Sequence, residues 1–460
     1  MTYEKKEDLE YRGERPKDYY IAPSKEEEKE DQKLPSFKEV FNDLPKSGAI
    51  AMFPEYYAGV LYFSSLDSFV YAVDAKSGIM IWKFQTAGPS MSVPLVHKGK
   101  IYFGSTDEYF YCLDLTGKLL WKKHTGDMIV SSPIGIGDKI FILNGSGYFF
   151  CFSEDGKELW KFKCGDGSPG IPSTINSLIF LGSYDSHLYA LNLDGELKWK
   201  FRAGERIGSP VIMENGKTII SNLKRSFEKP PQANSPKLYS PSYDNNIYSF
   251  DEHGKILWKF NCGSSITGGI GAANGSIYAG GVNGFLHSVD AFTGKEKWIY
   301  RTGGIITSGA EIKDGYVYVT SFDQKLHCIK EDDGSRIWDF LTGGPIVARP
   351  VIIENKIYFG SADSFLYCID LENRSVQWAF RTSLVTSGLE EKIKSFVNAI
   401  AEYDKKIFKV WRPETSTGKA AASAVPEGFS FGGEEVYKSS TGGYKSGDLS
   451  YFGKKKPYKH

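Results

Sequence analysis

Cysteine, methionine and histidine are scarce in this chain, at 6, 6 and 7 of 460 residues. No two cysteines are adjacent and none are spaced C-x-x-C, which leaves no sequence basis for a vicinal disulfide or the common thiolate metal sites. No apolar run approaches the ~18 residues of a spanning helix. Net charge is also missing: 56 basic side chains balance 56 acidic ones, which argues against a general polyanion binder. The first residues, Met1 to Glu10 (MTYEKKEDLE), hold neither an apolar stretch nor a small-residue cleavage site, so the expectation is a cytoplasmic protein without a secretory signal. Glycine and aromatics are plentiful, at 49 residues and 15% of the chain. Many short strands follow from that composition. A chain this long would ordinarily split into two or three domains unless a repeat holds it together.

A repeat is present. Trp82, Trp121, Trp160, Trp199, Trp258, Trp298, Trp338 and Trp378 follow one another at gaps of 39, 39, 39, 59, 40, 40 and 40. Each sits in the same phrase, AVDAKSGIMIWKF in one copy and CIDLENRSVQWAF in another. Upstream stands a second phrase, KIYFGSTDEYFYCLD or KIYFGSADSFLYCID, and between copies a third, such as GSPVI at Gly208 to Ile212. In the last copy the alternation of Lys356 to Gly360 predicts a strand, Ser361 to Ser364 a polar turn, and Phe365 to Asp370 the next strand. Four strands every 40 residues cannot bury both faces alone and must stack on their neighbours. Radial closure removes the open edges, so the expected fold is all-β: an eight-bladed β-propeller of four-stranded blades over residues 47–382.

Two places depart from this regularity. The long gap predicts an insertion in repeat five, residues 223–241 (KRSFEKPPQANSP at its centre), looping out of the ring. Closure is ambiguous. Gly48 to Pro54 aligns with Gly88 to Pro94 as an inner strand, yet Ser383 to Glu390 (SLVTSGLE) resembles GIITSGAE at Gly304 to Glu311 and offers a ninth.

The Ala-x-Asp-x-x-Thr-Gly-x-x-x-Trp phrase, nearest at Ala72 to Trp82 and Ser288 to Trp298, resembles the repeats of the quinoprotein-dehydrogenase-like (PQQ-like) propeller superfamily. The resemblance implies that each tryptophan wedges between adjacent blades. It implies less about activity, since that superfamily holds quinone-dependent alcohol dehydrogenases, sensor domains and BamB-like non-catalytic scaffolds. A dehydrogenase of this kind would carry adjacent cysteines, a tryptophan beneath the quinone, an acidic base and ligands for calcium. Here no cysteines adjoin, all eight repeat tryptophans hold the docking position, and Trp411 lies outside the repeats. No PQQ or other cofactor, no metal and no catalytic residue is therefore expected. PQQ enters only under an alternative reading, a ligand sensor or dehydrogenase-like enzyme using the central channel.

In register, the remaining candidates read as structural. Cys112, Cys151, Cys328 and Cys368 share one position with Ala72, Ala190, Ser249 and Ser288, and Cys164 and Cys262 take a place held elsewhere by Thr or Ala. Both positions want a small side chain, and unpaired buried thiols suit a reducing compartment. Asp67, Asp107, Asp185, Asp244, Asp323 and Asp363 share one turn position, with Gly147 and Asn283 in the other two copies. His287 and His327 replace an aromatic residue and are expected to pack. Arg349 and Arg206, near the inner strands, are the candidates for holding an anionic group in the channel, or else for pairing within the ring.

The ends differ in kind. Residues 1–46, with SKEEEKEDQK at Ser24 to Lys33, read as a polar, disordered tail. Residues 383–411 combine the inner-strand-like segment with an amphipathic helix carrying Leu389, Ile393, Phe396, Val397 and Ile400 on one stripe. Residues 412–460 form an extended tail in which Tyr437, Tyr444, Tyr451 and Tyr458 recur every seven residues as candidate anchors for a partner. Its basic end (Lys454 to Lys456, Lys459) admits nucleic-acid contact, ranked below a partner protein. The leading expectation is a non-catalytic scaffold subunit that binds other proteins of a larger assembly through its tails and insertion loop.

Overall fold

The computed structural model describes residues 47–382, apart from 215–216, 221–222 and 225–236. The helix, the seven-residue tyrosine series, the polar N-terminal tail and the inner-strand-like 383–390 lie outside the described residues. Within them the chain forms eight antiparallel sheets arranged as a β-propeller. Seven sheets have four strands that follow one another in chain order, as in blade one (Glu55–Tyr57, Val60–Ser64, Phe69–Asp74, Met80–Gln85). Strands of three, five, six and six residues recur in this order, and the two middle ones are almost wholly buried. Alternation of apolar residues sends one set of side chains to each neighbouring blade. Hence Tyr62, Val70 and Ala72 of blade one share a core with Ile101, Phe103 and Leu113 of blade two.

Each tryptophan stands on the outer strand and reaches the next blade. The Trp82 indole N–H donates to the Leu115 carbonyl at 2.9 Å, and a Cβ on Gly117 would lie 2.7 Å from its ring. A left-handed glycine (φ +85°) is what gives the ring that seat. Trp338 is the exception. Its place in blade eight is held by Arg374 at φ +57°, and among the described residues its indole has no carbonyl partner. Replacing Arg374 by glycine removes a left-handed non-glycine conformation and opens the seat. A gain of about 1 kcal/mol in denaturant-unfolding free energy is expected.

The ring closes without strand exchange. Among the described residues blade one is built from residues 55–85 and blade eight from 351–381, and neither borrows a strand from the far end of the chain. Gly48 to Pro54 is not itself the inner strand: the paired strand is Glu55–Tyr57, just beyond it. The seam is made by Trp378, donating to the Ala75 carbonyl at 3.2 Å, by the Tyr358 hydroxyl on the same carbonyl at 3.1 Å, and by the Ile50 N–H on the Ser361 carbonyl at 3.3 Å. The Thr382 hydroxyl also donates to the Gly48 carbonyl.

Blade five corrects the insertion boundaries. Its sheet has six strands, with Leu223–Lys224 and Lys217–Ile220 added inside Val211–Glu214, followed by Lys237–Pro241, Asn246–Phe250 and Ile256–Asn261. Lys237–Pro241 is the ordinary second strand, pairing Tyr239 with Val211 and Ser240 with Tyr248. The reading of 223–241 as a loop fails at both ends: Leu223–Lys224 is paired, and Pro241, which has no N–H to donate, closes a strand.

Candidate functional site

The aspartate ring is a set of clamps. Asp67, Asp107, Asp185, Asp244 and Asp363 each accept from the backbone N–H two residues on and from the tyrosine hydroxyl four residues on, as Asp363 does with Phe365 at 3.1 Å and Tyr367 at 2.7 Å. Asp107, Asp244 and Asp363 also accept from the chain leaving the previous blade: Gly343 N–H to Asp363 at 2.8 Å, Gly204 to Asp244 at 2.9 Å, Ala87 to Asp107 at 2.9 Å. These contacts lie within the turn and across the blade junction, so the aspartates are turn and junction elements.

The exceptions follow the same chemistry, with one correction. Gly147 does not replace the aspartate. It holds the left-handed position after it (φ +80°, as Glu108 at +71°), and Ser146 stands at the aspartate's place. The aromatic that would be clamped in that blade is Phe150, which has no hydroxyl. In blade seven His327 substitutes for tyrosine and packs as expected, but it is also held by hydrogen bonds. Its Nε2 lies 3.0 Å from Asp323, and its Nδ1 lies 3.1 Å from both Asp339 and the Tyr300 hydroxyl. Burial alone would raise the Asp323 carboxyl, but the His327 hydrogen bond and charge outweigh it and hold it below the usual range. Asp339 stands opposite His327, where blades one, two, four and five place a lysine opposite tyrosine, as Lys83 faces Tyr71. In blade six His287 meets Glu296 at 2.8 Å and faces Phe260.

Side chains from several blades can meet only near the ring axis, and there they are mostly apolar. Tyr184 of blade four, Tyr243 of blade five, and Met128 and Val130 from the approach to blade three form one buried cluster, joined by Met91. A second layer brings Phe53, Val93 and Val351 together with Met52 and Ile171. Tyr184 and Tyr243 share a hydroxyl–hydroxyl bond of 2.9 Å, and burial raises both phenols above their ordinary value. Arg206 is buried, with its guanidinium 4.6 Å over the Tyr184 ring. Arg349 donates to Glu311 at 2.9 Å across the junction of blades seven and eight. Burial pulls the Arg349 guanidinium down to about 10, which leaves it charged at neutral pH beside Glu311. Of the two channel candidates, Arg349 is thus committed to an internal ion pair and Arg206 to a stacked position beside two tyrosines.

Among the described residues no three His, Cys, Asp or Glu side chains converge as a metal site. The tryptophans at the docking position turn to the neighbouring blade, and the layer of Phe53, Val93 and Val351 is apolar. The six cysteines are all buried and unpaired. Burial pushes the Cys112 and Cys151 thiols up to about 12 and those of Cys328 and Cys368 to about 11. Thiolate being the reactive form, none of the six should react with a disulfide reagent at pH 7.5 in the native protein. All six should react within minutes in guanidinium, as counted by mass spectrometry.

Fold and interior together define an eight-bladed PQQ-like propeller whose interior is committed to holding the ring. The chain belongs to the family whose model is described as outer membrane protein assembly factor BamB, matched at residues 42–132, 128–226, 243–308 and 301–410. No curated protein matches the sequence. Among solved structures the chain is similar to BamB from Moraxella catarrhalis, at 18% identity and a TM-score of 0.58, covering 69% of this chain and 93% of that one. It is also similar to the computationally designed Ika8 protein (12% identity, TM-score 0.59, 71% and 97% covered). A third is the quinohemoprotein alcohol dehydrogenase ADHIIG of Pseudomonas putida HK5 (17%, 0.56, 71% and 70%). At such identities these structures speak for the fold. No helix among the described residues is long and apolar enough to cross a membrane.

Proposed function

We propose that this protein is a non-catalytic scaffold subunit that binds other proteins of a larger assembly. The observation that carries the reading is the use of the interior: the repeat tryptophans, aspartate clamps, Arg349 and axial side chains are spent on joining blades. Membership of the BamB family supports it, as does the absence of a convergent metal-ligand set among the described residues. The unpaired cysteines support a reducing, cytoplasmic setting. In this reading the polar ends, with Tyr437, Tyr444, Tyr451 and Tyr458, and the blade-five insertion supply contacts to partners, with nucleic acid a lesser candidate at the basic terminus. The test is mild purification of the full-length protein from its own cells, beside a chain ending at residue 411. Stoichiometric protein partners with the first and their loss from the second are expected. A monomer in both, together with a small molecule retained by the ring, would overturn the reading.

A further inference from the structure

Among the described residues the outer strands of the blades have one backbone edge unpaired, because nothing lies outside them in the sheet order. Native edges of this kind are usually blunted by charge. Three residues before the tryptophan, seven blades carry Lys118, Lys157, Glu196, Lys255, Lys295, Ser335 or Ser375, whereas blade one carries Ile79. The run Ile79-Met80-Ile81 is exposed throughout, at 67%, 44% and 52%. It continues into blade two, where Leu119 and Leu120 are also exposed. Trp82, next after Ile81, seats on Gly117, two residues before Leu119, so both runs open on one flank of the ring.

Lysines predominate around this flank, with Asp74 and Asp114 beside Lys76 and Lys118. Lys76, Lys83, Lys118 and Lys122 surround it in the exposed state. Lys83 lies 4.4 Å over the Phe69 ring and Lys122 lies 4.3 Å over that of Tyr109, which fixes both ammonium groups beside the apolar run. The nearest carboxylates are spent on their turns: Asp74 accepts from the Ser77 N–H and hydroxyl, and Asp114 from Thr116 and Lys118. An apolar patch rimmed by lysine would suit an anionic lipid surface, but lipid cannot pair the open backbone edge of Met80–Gln85. A protein strand can.

We propose that the outer flank of blades one and two is a docking site for an extended protein segment with alternating apolar residues and acidic flanks, added as a fifth strand to blade one. This rests on the scaffold reading and names the surface it would use. The probe is a short labelled peptide of alternating valine and threonine with two glutamates at each end, titrated against the full-length protein by fluorescence anisotropy. Saturable binding is expected, weakened at least about tenfold by Ile81→Lys and by exchanging the peptide's glutamates for lysines. Leu257→Lys, on the exposed outer strand of blade five, should leave it unchanged, and an unaltered unfolding midpoint shows each variant folded. Equal binding by Ile81→Lys, no binding at all, or an effect confined to phosphatidylserine vesicles would overturn the proposal. The scaffold reading is separable: partners retained by Ile81→Lys in the native purification would remove this flank while leaving the scaffold standing.

Discussion

Trp378→Ala should lower unfolding free energy by about 3–5 kcal/mol, the usual cost of emptying a large aromatic site. It should also open the ring, which Trp160→Ala should not. The two tryptophans make the same local contacts: Trp160 donates to the Leu193 carbonyl at 3.1 Å and Trp378 to the Ala75 carbonyl at 3.2 Å. They differ in what else holds the junction. Blades three and four are consecutive in the chain, so covalent connection keeps them together when packing weakens. Blades eight and one are far apart in sequence, and among the described residues no shared strand bridges them. Beyond Trp378 the seam keeps the Tyr358, Ile50 and Thr382 bonds and the packing of Ile50 with Leu366 and Cys368. Denaturation midpoints should therefore fall for both variants, while small-angle scattering under native conditions should show an enlarged radius only for Trp378→Ala. Equal radii would mean that the remaining seam contacts suffice.

The second large effect is expected at the Arg349–Glu311 pair. Glu311 is about 4% exposed and begins the inner strand of blade seven, so Glu311→Ile leaves the guanidinium facing a buried apolar side chain. Breaking a buried pair from one side costs about 3–5 kcal/mol. The double change Glu311→Ile with Arg349→Ile should recover most of that loss. It reproduces what the ring already uses between blades three and four, where Ile134 and Ile171 occupy the matching positions ahead of Ile136 and Pro172. Urea midpoints of the wild type, both single variants and the double variant complete the thermodynamic cycle. If the single variants cost less than about 1 kcal/mol, the pair is better hydrated than its burial implies.

The blades were legible because their signals are local. Lys356–Gly360 and Phe365–Asp370 are strands with the bounds that alternation and the Ser361 to Ser364 turn predict. The small side chains at the cysteine positions were legible because eight copies sample the same environment. What was not legible depends on residues far apart in sequence. The clamp between Asp363 and the Gly343 N–H joins two blades, and a turn propensity carries no record of it. The pairing of Arg349 with Glu311 spans 38 residues. Blade five misled for a different reason. Proline and polar residues read as a loop, while Lys237–Pro241 takes its pairing from Val211–Glu214 on one side and Asn246–Phe250 on the other.

The way the ring closes has a consequence for what can be attached to it. The Thr382 hydroxyl rests on the Gly48 carbonyl, so the first and last residues of the propeller stand side by side. Natural ends this close make the molecule a candidate for circular permutation: a short linker across the seam, with new ends cut between two other blades, should give the same ring. It also means that residues 47 and 382 offer two neighbouring points of attachment on the ring. Two binding segments anchored there would be tethered at high effective concentration to each other, and the propeller would act as a hinge pin for two arms as much as a surface.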